Sequence, residues 1–170
     1  IDLEINDLKV ERFGLSKNSP YRINNIEIEN GSYIADFQWG NELPSHKVKL
    51  SIPGKHNAMN ALAASAAALM NGISLSTIIH ALETFPGVQR RFDYILRKND
   101  RIYIDDYAHH PDEINALLNT VLELYPDKKI VGVFQPHLFS RTKDLADEFA
   151  KALSRLPICL LMDIYPAREK

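Results

Sequence analysis

Twice in this chain a strand-like apolar run ends in a polar turn that opens at once into a helix-like stretch. The first turn is Asp105-Asp106-Tyr107-Ala108-His109-His110-Pro111, and the second is Gln135-Pro136-His137-Leu138-Phe139-Ser140-Arg141-Thr142. Strand, polar turn, helix, repeated, is the order of an α/β fold with a mostly parallel sheet. In such sheets ligands bind outside the carboxyl ends of the strands. Right-handed crossovers would place both turns along one edge of one sheet. Two Asp, a Tyr, three His and an Arg then line that edge, which makes it the candidate active site.

The sequence ahead of these turns reads differently. Up to residue 52 it is β-like: Ile26 and Ile28 precede Asn30-Gly31, and Tyr33, Ala35, Phe37 and Trp39 alternate behind it. Asn-Gly between alternating apolar runs signals a hairpin, because both turn residues take positive φ. Val48, Leu50 and Ile52 add one more half-buried strand, in an antiparallel arrangement with one wet face. Pro53-Gly54 then leads into an alanine-rich helix over 57–70, stopped by Asn71-Gly72. Its small residues imply close packing on several sides. A second helix, capped by Ser74 or Ser76, turns Ile78, Ile79 and Leu82 inward and ends before Pro86-Gly87, where a domain boundary is expected.

Beyond the boundary, strands are expected over 92–96 and 101–106, joined by the turn 97–100, and again over 129–134 and 158–164. Pro111 stands at the first helical position, where its missing N–H costs nothing. Ile114, Leu117, Leu118, Val121, Leu122 and Tyr125 form one helical stripe, and Leu145, Ala146, Phe149, Ala150 and Leu153 another. The last strand reads as buried, with Cys159, the single cysteine, as a small core side chain.

Bulk properties exclude several classes. Twenty Lys+Arg against 22 Asp+Glu leave a formal charge of −2, without the basic excess of a nucleic-acid or membrane-surface binder. No apolar run reaches the ~20 residues of a membrane span, and one cysteine cannot form an internal disulfide, which suits a reducing cytoplasm. The chain begins at Ile1 with strand-like sequence close behind and stops at Lys170 just after a strand. It is therefore read as a piece of a longer protein.

Each polar cluster has more than one reading. Gly54-Lys55 invites a phosphate loop, but no Gly stands five positions before Gly54, and His56 occupies the place of the hydroxyl residue. His56, Asn57 and Asn60 remain around the first helical turn. They suit either an adenine edge, which needs a paired donor and acceptor, or simple N-capping. Arg90-Arg91 precedes a strand at the boundary, either reaching phosphate or ribose oxygens or lying solvated. Of Asp105 and Asp106, which alternate in direction, one can accept from a ribose hydroxyl while the other pairs or forms the turn. His109, His110 and His137 lack the spacing of a zinc site. Tyr107, His109, His137 and Arg141 better suit a small polar ligand, with Arg141 gripping a carboxylate in a fork; helix-start chemistry is the alternative.

Taken together, the stretches 54–64, 87–92, 105–111 and 134–142 resemble the Mur ligases in order and spacing. These are ATP-dependent amide-forming enzymes of peptidoglycan precursor synthesis, and through it of cell shape and division. The likeness runs from about residue 8 to the end and is strongest to the members that add L-alanine to UDP-N-acetylmuramate. It implies an α/β architecture in two parts. Residues 1–87 would be antiparallel strands and two helices from the end of a central ATP-binding domain. Residues 88–170 would be the first half of a Rossmann-like, amino-acid-binding domain, truncated here. The resemblance assigns His56, Asn57 and Asn60 to adenine, Arg91 and Asp106 to the nucleotide's ribose and phosphates, and Tyr107, His109, His137 and Arg141 to the amino acid. Arg91 and His109 would serve catalysis. ATP and Mg²⁺ are implied, with the phosphate loop and metal ligands upstream of Ile1, so this segment alone is expected to be inactive. The implied partners are small molecules, not nucleic acid or membrane. Many alanine-adding members carry a second arginine where this chain has Leu138, which leaves carboxylate recognition resting on Arg141. The alternatives are a sister ligase that attaches a whole murein tripeptide, a nucleotide-binding module without chemistry, and a metal hydrolase built on the histidines.

Overall fold

A computed structural model describes residues 10–98 and 100–169. The strand-like start behind Ile1, and Asn99 of the turn at 97–100, lie outside the described residues. The chain divides into two compact units, one up to Gly87 and one from Val88. Each is mixed α/β.

In the first unit the strands β1 (Phe13–Gly14), β2 (Tyr21–Glu29), β3 (Ser32–Trp39) and β4 (His46–Lys49) form one sheet in that order. The hairpin between β2 and β3 turns on Asn30 at φ 50° and Gly31 at φ 72°, as the Asn-Gly pair requires. β4 pairs antiparallel with β3, but β1 runs parallel to β2, so the sheet is not wholly antiparallel. Tyr33, Ala35, Phe37 and Trp39 line one face of β3 and are essentially sealed from solvent, with Phe37 and Trp39 stacked at 5.2 Å. Helix α1 (Lys55–Met70) buries Ala58, Leu62, Ser65 and Ala66. That is a single stripe, with Ala64 and Ala67 exposed, so the alanines do not pack on several sides as expected. Helix α2 (Leu75–Thr84) is capped by Ser74, whose hydroxyl accepts the Thr77 N–H, and buries Ile78.

In the second unit β5 (Asp93–Lys98) pairs antiparallel with β6 (Arg101–Asp105), because the short turn between them permits no other pairing. Helix α3 (Pro111–Leu124) follows, with Pro111 at its first turn as read. β7 (Val131–Phe134) pairs parallel with β8 (Ile158–Leu161) through the crossover of α4 (Phe139–Asp144) and α5 (Ala146–Leu153). Among the described residues no ladder joins β6 to β7, so the two polar turns do not follow strands of one hydrogen-bonded sheet. The single helix expected around Leu145 is broken there, at φ −117° and ψ 24°.

The core of this unit is Ile114 and Leu118 of α3 against Phe149 and Ala152 of α5, joined by Phe134 and Leu156. Each of the larger side chains among them contributes roughly 1.5–3 kcal/mol when withdrawn from water. Other apolar residues stay wet: Leu122 of the expected stripe is exposed, and so are Val131, Val133, Leu160 and Leu161. The last strand is therefore not buried, and Cys159 is only half-buried. Phe134 packs on the α3–α5 core, whereas Leu160 and Leu161, neighbours on β8 and so on opposite faces, are both uncovered. Phe149→Ala should cost about 3–5 kcal/mol, whereas Val133→Ala should change stability by no more than about 0.5 kcal/mol. Urea unfolding of the two variants checks this.

Candidate functional site

The first group of predicted residues opens α1. Gly54, at φ 110°, is the N-cap, and no side chain caps this helix. The capping alternative for Asn57 is thereby set aside. Its Nδ2 instead donates backward to the Pro53 carbonyl at 2.7 Å, and its Oδ1 accepts from Asn60 Nδ2 at 3.5 Å. The two amides thus orient one another, with Asn60 and His56 exposed.

In the second unit the segment 88–92 makes a tight turn, with the Arg91 N–H donating to the Val88 carbonyl at 3.1 Å. Arg90 (φ 58°) and Phe92 (φ 49°) both occupy the left-handed region, which bulky side chains seldom adopt and which costs of order 1–3 kcal/mol each. Asp106 holds the turn in place. Its Oδ2 accepts the Phe92 N–H and its Oδ1 the Ala108 N–H, both at 2.8 Å. Each oxygen keeps one lone pair for a further donor. Asp105 takes the other role foreseen for the pair, bridging to Arg90 at 3.4 Å.

Tyr107 follows on the same turn. Its N–H donates to the Arg90 carbonyl at 2.7 Å, its ring lies under the Arg90 guanidinium at 4.8 Å, and His109 meets it edge-on at 5.1 Å. The Nδ1 of His109 donates to the Tyr107 carbonyl at 2.9 Å, which leaves Nε2 with its lone pair available. His110 caps α3, its Nδ1 accepting from the Asp112 N–H at 3.3 Å.

Glu113 was not anticipated. It stands three residues into the helix, the reciprocal position of a capping box, and that spacing was the available signal. It accepts the N–H groups of His109 and His110 and lies 3.7 Å from Arg91 Nη1. Partial burial opposes ionisation and is the largest single influence. The His109 N–H, the His109 imidazole, the His110 N–H and the Arg91 charge together outweigh it, and the carboxyl sits below the ordinary carboxylate range.

The second polar turn is laced to the segment after β8. Leu138 N–H donates to the Tyr165 carbonyl at 2.9 Å, Tyr165 N–H to Pro136 at 2.8 Å, and the rings of His137 and Tyr165 lie 5.6 Å apart. Leu138, at φ 73°, is another left-handed residue. Ser140 donates its N–H and hydroxyl to Glu169. Arg141 is half-buried, and among the described residues its guanidinium has no hydrogen bond or ion pair. None of these contacts joins His137 or Arg141 to Tyr107 and His109. Among the described residues no three His, Cys, Asp or Glu converge as metal ligands, and no helix is long and apolar enough to cross a membrane.

The chain matches the Mur ligase middle domain over residues 2–68, and residues 90–168 match the glutamate ligase domain of the Mur ligases. It belongs to the Mur ligase family. A UDP-N-acetylmuramate–L-alanine ligase of Flavobacterium psychrophilum is 52% identical over 162 residues, which cover 95% of this chain and 36% of that protein. Among solved structures, the UDP-N-acetylmuramate–alanine ligase of Thermotoga maritima aligns with a TM-score of 0.77 at 35% identity, over 90% of this chain and 34% of that one. The MurF ligase of Thermotoga maritima, solved with ADP, shares the fold with a TM-score of 0.66 at 19% identity, over 88% and 34%. The chain spans about a third of the length of the curated Mur ligases it matches.

A carboxyl group depressed in the folded state contributes stability that is complete above its unfolded value and is lost as pH falls through its folded value. Glu113, whose ordinary value is 4.5, should therefore make the chain less stable on acidification below that point. Glu113→Gln should remove this part of the slope, as read by urea unfolding across the acid range.

Proposed function

We propose that this chain is part of an ATP-dependent ligase joining L-alanine to the lactyl carboxylate of UDP-N-acetylmuramate through an acyl phosphate, in peptidoglycan precursor synthesis. The observation that carries this reading is Arg141. It is a half-buried guanidinium without a partner among the described residues, four positions after His137, in a chain 52% identical to a protein named for that reaction. An unpaired, partly desolvated cation suits an incoming carboxylate, and a planar fork suits it better than an ammonium would.

The amino acid would lie with its carboxylate on Arg141, assisted by His137, and its ammonium toward Tyr107 and His109. His109 Nε2, left with a lone pair by the Nδ1 bond to Tyr107, takes one proton from the ammonium. The freed amine attacks the acyl carbon, the C–N bond forms, the C–O bond to phosphate breaks, and the second proton lost by the nitrogen leaves with the phosphate. Arg91 stabilises the charge that collects on the departing phosphate. Asp106 uses its spare acceptor capacity on the ribose, and Asn57 and Asn60, with His56, receive the adenine. Residues 1–87 thus serve as the ATP-binding portion and 88–170 as the amino-acid portion. The family implies Mg²⁺, but no described cluster here fits a metal ion, so no residue of this chain is assigned to it. The reaction is assigned to the cytoplasm, whose reducing conditions suit a chain with a single cysteine.

The test is ligation by the full-length protein with L-alanine, L-serine, glycine and the murein tripeptide offered in turn. L-Alanine should be strongly preferred; preference for the tripeptide would assign the sister reaction, and no ATP-dependent product with any of them would leave a binding module. Arg141→Ala should raise the KM for the amino acid about ten- to a hundredfold, the value of a charge-assisted hydrogen bond, with little change in the KM for ATP.

A further inference from the structure

Glu113 touches both of the side chains to which catalysis is assigned. Its Oε2 accepts the His109 N–H at 2.9 Å and the His110 N–H at 3.2 Å, and lies 3.3 Å from His109 Nδ1. Its Oε1 faces Arg91 Nη1 at 3.7 Å. Capping the helix needs only the backbone N–H bonds, and a glutamine makes them as well as a glutamate. The charge suits a helix N-terminus in any case, but a capping role leaves unexplained the placement of one oxygen toward a guanidinium from a different loop and of the other toward an imidazole.

The imidazole is held from two directions. Nδ1 donates to the Tyr107 carbonyl at 2.9 Å while the Glu113 carboxylate stands beside it. Ring orientation and tautomer are set on the Nδ1 side, so Nε2 is the nitrogen offered to a substrate. A carboxylate so placed stabilises the imidazolium that forms when Nε2 takes up a proton, as a buried acid does for a catalytic histidine elsewhere. The same anion restrains Arg91, whose neighbours Arg90 and Phe92 are in strained left-handed conformations and whose own side chain is half-exposed.

We infer that Glu113 is a positioning residue for the amide-forming step. Its carboxylate holds Arg91 and His109 in one frame and offsets the charge His109 gains on accepting the ammonium proton. This rests on the ligase reading above. In the step one proton passes from the amino-acid nitrogen to His109 Nε2, the C–N bond forms, the acyl C–O bond breaks, and the second nitrogen proton leaves with the phosphate. Glu113 neither gains nor loses a proton. The lowered acidity range of its carboxyl keeps it ionised for this role.

Glu113→Gln in the full-length protein separates charge from cap. The glutamine keeps the backbone bonds, so the variant stays folded, while kcat falls about ten- to a hundredfold from misplacement of the two groups. The KM values for ATP and the amino acid change little, since no substrate contact is removed. Glu113→Ala loses cap and charge together, and lowers the melting temperature as well. Independently of activity, ¹⁵N NMR of the His109 imidazole should show its Nδ1 resonance displaced in Glu113→Gln. A glutamine variant with parental kcat and an unmoved His109 resonance reduces Glu113 to a helix cap and overturns the inference. So does a glutamine variant as unstable as the alanine one. A parental protein without ligase activity would instead remove the ligase reading, and this role with it.

Discussion

One carboxylate joins the two halves of the second unit's site. Asp106 ends β6 and accepts the N–H of Phe92 from the boundary turn and the N–H of Ala108 from its own turn, both at 2.8 Å. Left without that acceptor, both donors would carry a desolvation penalty of about 1–3 kcal/mol each. With it, the strained backbone at Arg90 and Phe92 is held, Arg91 is presented beside Glu113, and Tyr107 is placed under the Arg90 guanidinium. The geometry proposed for nucleotide and amine follows from that anchoring.

The packing beneath is economical. Ile114, Leu118, Phe149 and Ala152 form a small core between α3 and α5, and Ala108 of the first polar turn and Phe134, just ahead of the second, pack against it. The turn after β7 has its own ties, through Tyr165 and Glu169. The Glu169 carboxyl is drawn below its ordinary range, first by the Ser140 hydroxyl and then by the Ser140 N–H. Two separately braced turns, one centred on His109 and one on Arg141, suit a reaction in which one group holds the substrate's carboxylate and another handles its nitrogen.

Much of this was readable residue by residue, and what was missed has physical causes. Asn30-Gly31 announced its hairpin and Pro111 its helix start, and of the two serines offered as a cap, Ser74 is the one used. Asn57 was weighed as a cap, but in the fold Gly54 precedes it as the N-cap, and the amide turns back to Pro53 instead. The apolar run of β8 looked like a buried strand, yet apolar character does not say how many faces are covered, and Leu160 and Leu161 remain wet. Repeated strand–turn–helix order suggested one sheet, while the hydrogen bonds divide into an antiparallel pair and a parallel pair. Capping-box spacing could have flagged Glu113 beside His109 and His110, but its approach to Arg91 of another loop could be seen only in the fold.

Local conformation and the chemical inventory could be read from residue order alone, because turns, caps and helix stripes depend on neighbours within a few positions. The family could be read as well, from four motifs in fixed order. Which oxygen of Asp106 meets which N–H, which nitrogen of His109 faces the Tyr107 carbonyl, and that Arg141 has no partner among the described residues while Arg90 and Arg91 are paired required the folded chain. Those facts turn on contacts between residues brought together by tertiary packing, where a separation of 14 in sequence becomes 2.8 Å in space.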